Sequence, residues 1–95
     1  MAEPTTFAAL GLALAQEGIR HVNLLQDRAP SNNEVGLVRD GTGFRVYVTD
    51  ERGAIRYSAH HDVEADACRD LLSSARRNHE DLEALRKAGR AYPQG

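Results

Sequence analysis

The stretch Gly43-Phe44-Arg45-Val46-Tyr47-Val48-Thr49-Asp50-Glu51-Arg52-Gly53-Ala54-Ile55-Arg56-Tyr57-Ser58-Ala59 decides the fold. Phe44 to Asp50 alternates: Phe44, Val46 and Val48 point one way, and Arg45, Tyr47 and Thr49 the other, the period of a half-buried strand. Asp50-Glu51-Arg52-Gly53 is a tight turn, with Gly53 suited to a left-handed position. Ala54 to Ala59 returns, with Ile55, Tyr57 and Ala59 on one face. Upstream, Glu34 to Asp40 reads as another strand, joined to Phe44 by the glycine-rich turn Asp40-Gly41-Thr42-Gly43. Two tight turns in succession predict an antiparallel three-stranded meander.

Working outward, helices flank the meander. Residues from about 5 to 17 read as a helix, with Thr5 or Thr6 as cap, Phe7, Leu10 and Leu14 on one face, and Gly18 as the stop. Ile19 to Leu25 has no clean period, and Asp27 to Asn33 is a loop by composition. Asp62 is expected to cap a second helix, in which Val63, Ala67, Leu71 and Ala75 recur every fourth residue. Glu64 and Asp66 fall in its first turn, where they suit the helix dipole. Cys68, Leu71, Ala75, Asn78, Leu82 and Leu85 extend the pattern with heptad-like spacing. This predicts a long helix that crosses the sheet and projects past it; a homodimer through the seam from Cys68 to Leu85 is the alternative. Gly89 and Pro93 are expected to end the helix, leaving a frayed tail over about residues 90–95. The expected fold is α+β, one domain over residues 1–95, in the order α-β-β-β-α, with both helices on one sheet face. The other face would present Arg45, Tyr47, Arg56, Ser58 and His60 to water or to a partner.

Composition narrows the function. The chain has 95 residues, 12 basic against 14 acidic, for a net charge of -2. Nucleic-acid binders usually carry a basic surplus, so such a partner is not expected. The double-stranded RNA-binding domain shares the α-β-β-β-α order, but its last helix starts basic, whereas Asp62, Glu64 and Asp66 make this start acidic. DNA binding through the last helix has six basic residues against four acidic ones from Arg69 onward, a thin surplus. A small DNA-associated regulator therefore stays as a second reading. The single cysteine, Cys68, allows no internal disulfide. The longest apolar stretch, Phe7 to Ala15, is too short to span a membrane and follows no basic segment. A cytoplasmic protein is expected.

No catalytic constellation stands out, and no cofactor or metal is expected. His60-His61-Asp62 has the chemistry for a metal or a proton relay, but Cys68, His21 and His79 share no ligand spacing with it. Ser58 and His60 lie two apart on a strand, their side chains roughly 7 Å from each other, too far for a nucleophile–base bond. Cys68 sits among apolar helix positions, where a buried thiol is commonplace.

The hairpin Gly43 to Gly53 and the helix opening Val63-Glu64-Ala65-Asp66-Ala67-Cys68-Arg69-Asp70-Leu71-Leu72 resemble small bacterial immunity proteins encoded beside secreted polymorphic or contact-dependent toxins. Those proteins carry a similar Tyr-containing hairpin with an Arg-Gly turn and a Glu-x-x-Ala-Cys helix motif, here Glu64 to Cys68. The resemblance covers about 30 residues. It implies a non-catalytic protein that binds and neutralises a cognate toxin domain, in many cases a nuclease. Asp40, Asp50, Glu51, Asp62, Glu64 and Asp66 would then cluster near the hairpin ends and helix start, standing in for phosphates. Arg45 and Tyr47, with Arg56 and His60, would anchor the interface from the open sheet face.

Overall fold

The computed structural model of the chain describes residues 3–91, with side chains to residue 88. The first helix, α1, spans Phe7–Gln16. Thr6 caps it from an extended conformation, its hydroxyl accepting from the Ala9 N–H at 3.2 Å. At the other end Gly18 takes φ +68°, and the Gly18 and Ile19 N–H groups turn back to the Ala15 and Leu14 carbonyls. That pair of bonds is a Schellman stop, and it swings Ile19 into the core.

Four strands follow: β1 (Val22–Leu24), β2 (Val35–Asp40), β3 (Gly43–Thr49) and β4 (Ile55–His61). They lie in the order β1-β2-β3-β4. The meander of β2, β3 and β4 is antiparallel, as its two turns require, with Gly41 and Gly53 at positive φ. β4 runs two residues past the expected Ala59 and takes in His60 and His61. The unassigned stretch Ile19–Leu25 supplies β1, which pairs parallel with β2 in the register Val22↔Val35. His21 and Leu25 flank β1 at positive φ, and its ends are tied by Val35 N–H to the His21 carbonyl and Leu25 N–H to the Leu37 carbonyl.

α2 spans Glu64–Ala91. Gly89 does not end it. The expected stop at Pro93 and most of the tail of about residues 90–95 lie outside the described residues. Asp62, expected as its cap, instead gives its carboxylate to His60, and the helix begins two residues later.

Both helices pack on one sheet face. Val35, Leu37, Val46 and Val48 meet Leu10, Leu14, Ile19, Ala67, Cys68, Leu71, Leu72 and Ala75 there. Each fully buried Leu or Val stabilises by roughly 1.5–3 kcal/mol. Phe7 closes the edge of this core, its ring 5.1 Å from that of Phe44 and nearly perpendicular to it. The heptad-like seam is divided. Cys68, Leu71, Ala75 and Asn78 are buried in this chain's own core, Asn78 donating to the Asn33 carbonyl, while Leu85 is 66% exposed. At about 1.5 Å per residue, α2 runs roughly 42 Å, and its last part projects beyond the sheet.

Candidate functional site

The register of the meander gathers charged groups on the sheet face opposite the helices. Arg45 on β3 stands between Val38 on β2 and His60 on β4. Asp40 closes β2 at the neighbouring position, across from Gly43. Gly43 has no side chain, which matters: a Cβ there would stand 2.9 Å from the His60 ring. The ring lies in that space and meets carboxylates on both sides. His60 Nδ1 is 2.9 Å from Asp40 Oδ2, and Nε2 is 2.9 Å from Asp62 Oδ1. Arg45 donates from Nε to Asp40 at 3.0 Å and from Nη1 to the Ser58 hydroxyl at 2.7 Å.

A neutral imidazole carries one N–H, and two ionised carboxylates only accept. Both contacts are satisfied as hydrogen bonds only in the imidazolium. Accordingly the hydrogen bonds to Asp40 and then to Asp62 raise the His60 pKa above its usual value. The His60 hydrogen bond, followed by that of Arg45, holds the Asp40 carboxyl below its usual range. Asp40 is thus bonded by both Arg45 and the His60 ring and Asp62 by the His60 ring alone, while Asp62 stays 85% exposed.

The other expected interface residues fall elsewhere. Tyr47 is not presented to water: it is 4% exposed. Its ring lies across β2 over Gly36, where any Cβ would collide with it. The loop of residues 26–33 covers it. The Tyr47 hydroxyl donates to Glu34 Oε1 at 2.8 Å and accepts from Asn23 Nδ2 at 3.1 Å. Arg28 straps the loop down with a two-pronged bond to Glu34, at 2.5 and 3.2 Å. Burial pushes the Glu34 pKa up, but the bonds from Arg28, the Ser31 N–H and Tyr47 outweigh it and leave the carboxyl below its usual range. Burial raises the Tyr47 pKa. Sequence alternation places Tyr47 on the correct face; the signal for its burial is the glycine opposite, Gly36.

Arg56, expected on the outer face, turns toward α2. A bulge between Val48 and Thr49 pairs Thr49 with Ile55 and Val48 with Tyr57, leaving Arg56 as the extra residue. Its guanidinium comes within 3.9 Å of Asp81.

The expected cluster of six carboxylates is split. Asp50 and Glu51 sit at the far end of β3 from Asp40 and Asp62, roughly 20 Å away along a seven-residue strand. Asp50 accepts from the Arg52 and Ala54 N–H groups and so shapes its own turn. Glu64 accepts from the Phe7 N–H at 3.0 Å and serves the start of α1. Asp66 lies 3.4 Å from Arg69. Only Asp40 and Asp62 come together.

A third polar group lies between β4 and α2, and sequence reasoning missed it. Asp70 is held by the Tyr57 hydroxyl at 2.9 Å, His61 Nε2 at 2.7 Å and the Ser74 hydroxyl at 3.3 Å. Beside it a cleft of about 430 Å³ is lined by Arg56, Tyr57, Ser73 and Arg77 among others.

The Ser58 hydroxyl serves Arg45 and has no bond to His60. Cys68 is fully buried and its thiol pKa is pushed up by burial, which keeps it protonated. Among the described residues no three His, Cys, Asp or Glu side chains converge as a metal site, and no helix is long and apolar enough to cross a membrane. Compared with protein-family models, with curated proteins and with solved structures, the chain matches none.

Proposed function

We propose that this chain is a non-catalytic binding protein of the immunity type, acting in the cytoplasm against a cognate secreted toxin domain. The observation that carries the reading is the pair Asp40 and Asp62, fixed on either side of His60 and open to solvent. Exposed carboxylates held in place lose little freedom on binding, and they offer a basic nuclease cleft what its phosphate substrate would offer. The hairpin Gly43 to Gly53 and the Glu64 to Cys68 motif support the same reading by resemblance. Their roles are those of a framework: Asp50 shapes the turn and Glu64 joins α2 to α1.

A DNA-associated regulator draws less support. From Arg69 onward six basic residues stand against four acidic ones, a thin surplus for a phosphate backbone in which each contact takes its own cation. A homodimer through the helix would lack the seam from Cys68 to Asn78, which the core of the chain already uses.

The test is co-expression of the tagged chain with the toxin-like domain encoded immediately upstream. A stoichiometric complex together with rescue of growth supports the reading. A toxic domain that kills despite the chain, with no complex formed, overturns it.

A further inference from the structure

We infer that the free edge of β4, under the flank of α2, receives an extended acidic segment of a protein partner as a fifth strand. The inference rests on the protein-binding reading above and names the surface that would extend it.

The hydrogen-bond parity of the sheet shows which backbone groups are on offer. The Thr49 N–H bonds to the Glu34 carbonyl beside β2, and the Asp50 N–H to the Ala54 carbonyl on the other side. Residues 45, 47 and 49 of β3 therefore face β2, and residues 44, 46 and 48 face β4. The β4 partners of the latter are His61, Ala59 and Tyr57. Ser58 and His60, in between, direct their N–H and C=O groups away from the sheet. β4 is the last strand in the order, and both residues are exposed. Edges are usually blunted by proline, lysine or a bulge. Here the bulge sits at the start of the strand, and Ser58-Ala59-His60 beyond it carries no proline or lysine.

Beside this edge lies the cleft of about 430 Å³, floored by Tyr57 and walled by Ser73 and Arg77 of α2. A strand added to β4 would send alternate side chains into it, the mode in which main-chain bonds give affinity and side-chain pockets give selectivity. The charges in the cleft set the side chain. Asp70 is already engaged by Tyr57, His61 and Ser74. Arg56 has a long, exposed contact with Asp81 at 3.9 Å, and Arg77 pairs with no carboxylate among the described residues. Two guanidiniums that lack a close partner favour an Asp or Glu. The bulge is what brings one of them there. The surface is continuous with the Asp40–His60–Asp62 cluster, since His60 contributes its ring to one and its backbone edge to the other.

The experiment is to pan random displayed peptides against the full chain and to measure the enriched peptides by titration and amide hydrogen exchange. Enrichment of extended sequences with an acidic residue, slowed exchange at Ser58 and His60, and a loss of at least about tenfold in affinity in Arg77→Glu are expected. Ser58→Pro removes one outward N–H and should abolish binding. If Ser58→Pro fails to fold, Arg77→Glu and the exchange data decide alone. No enriched peptide, or binding that leaves Ser58 and His60 exchange and the Arg77→Glu affinity unchanged, overturns the inference. Strand-type peptides without a toxin complex would overturn the immunity reading and leave this one standing.

Discussion

Two polar clusters share the outer face of one sheet and use the same chemistry, an arginine and a ring bonded to a carboxylate. Around Tyr47 the carboxylate is Glu34, 3% exposed and closed over by the strap at Arg28. Around His60 the carboxylates are Asp40 and Asp62, both open to water. Burial decides what each cluster does. Where water is excluded, every lost partner leaves a group unpaired, so the Glu34 cluster fixes the path of residues 26–33. Where water is present, a lost partner is replaced, so the His60 cluster adds little to the fold and keeps its charges for another molecule.

The largest effect that tests this contrast is expected at Gly36. Gly36→Ala drives a Cβ into the Tyr47 ring and should cost about 3 kcal/mol in thermal or urea unfolding. In a Tyr47→Ala background the same substitution should cost much less, because the clash is gone. An equal cost in both backgrounds would remove Tyr47 from the account. Tyr47→Phe comes next. It strips the hydroxyl from Asn23 and Glu34 and should cost roughly 1–2 kcal/mol with an unchanged fold.

Smaller still are the effects of pH, and the two clusters should move in opposite directions. The Glu34 pKa is lowered from 4.5 in the folded chain. Its contribution is full above that value and is lost as pH falls through the lowered one. The His60 pKa is raised from 6.5. Its contribution is present below 6.5 and is lost as pH rises through the raised value. Proton titration of the His60 ring by NMR should show the raised value in the parent. Asp40→Asn should bring it back toward 6.5, since the Asp40 bond is the largest cause. An unchanged ring titration would break the clamp as described.

Much of this fold is legible in the sequence, for local reasons. Thr6 and Gly18 bound α1, and the glycines of the Asp40–Gly43 and Asp50–Gly53 turns set the meander. What is not legible depends on distant partners. β1 is three residues long and owes its existence to β2, which completes its parallel hydrogen bonds. Alternation gives the face of Tyr47 but not the loop that covers it. Arg56 is misplaced by alternation because a bulge resets the count. The clamp at His60 needs Asp40, twenty positions away, and emerges only with the register of β2, β3 and β4.

The most direct test of the account is the affinity of the chain for its co-expressed toxin domain after Asp40 and Asp62 are both replaced by Arg, with unfolding measured in parallel. The account predicts a loss of roughly a hundredfold or more in affinity, with the unfolding midpoint close to the parent's. Undiminished affinity in a folded variant would contradict it, and the exposed carboxylates would then not be the groups that the partner reads.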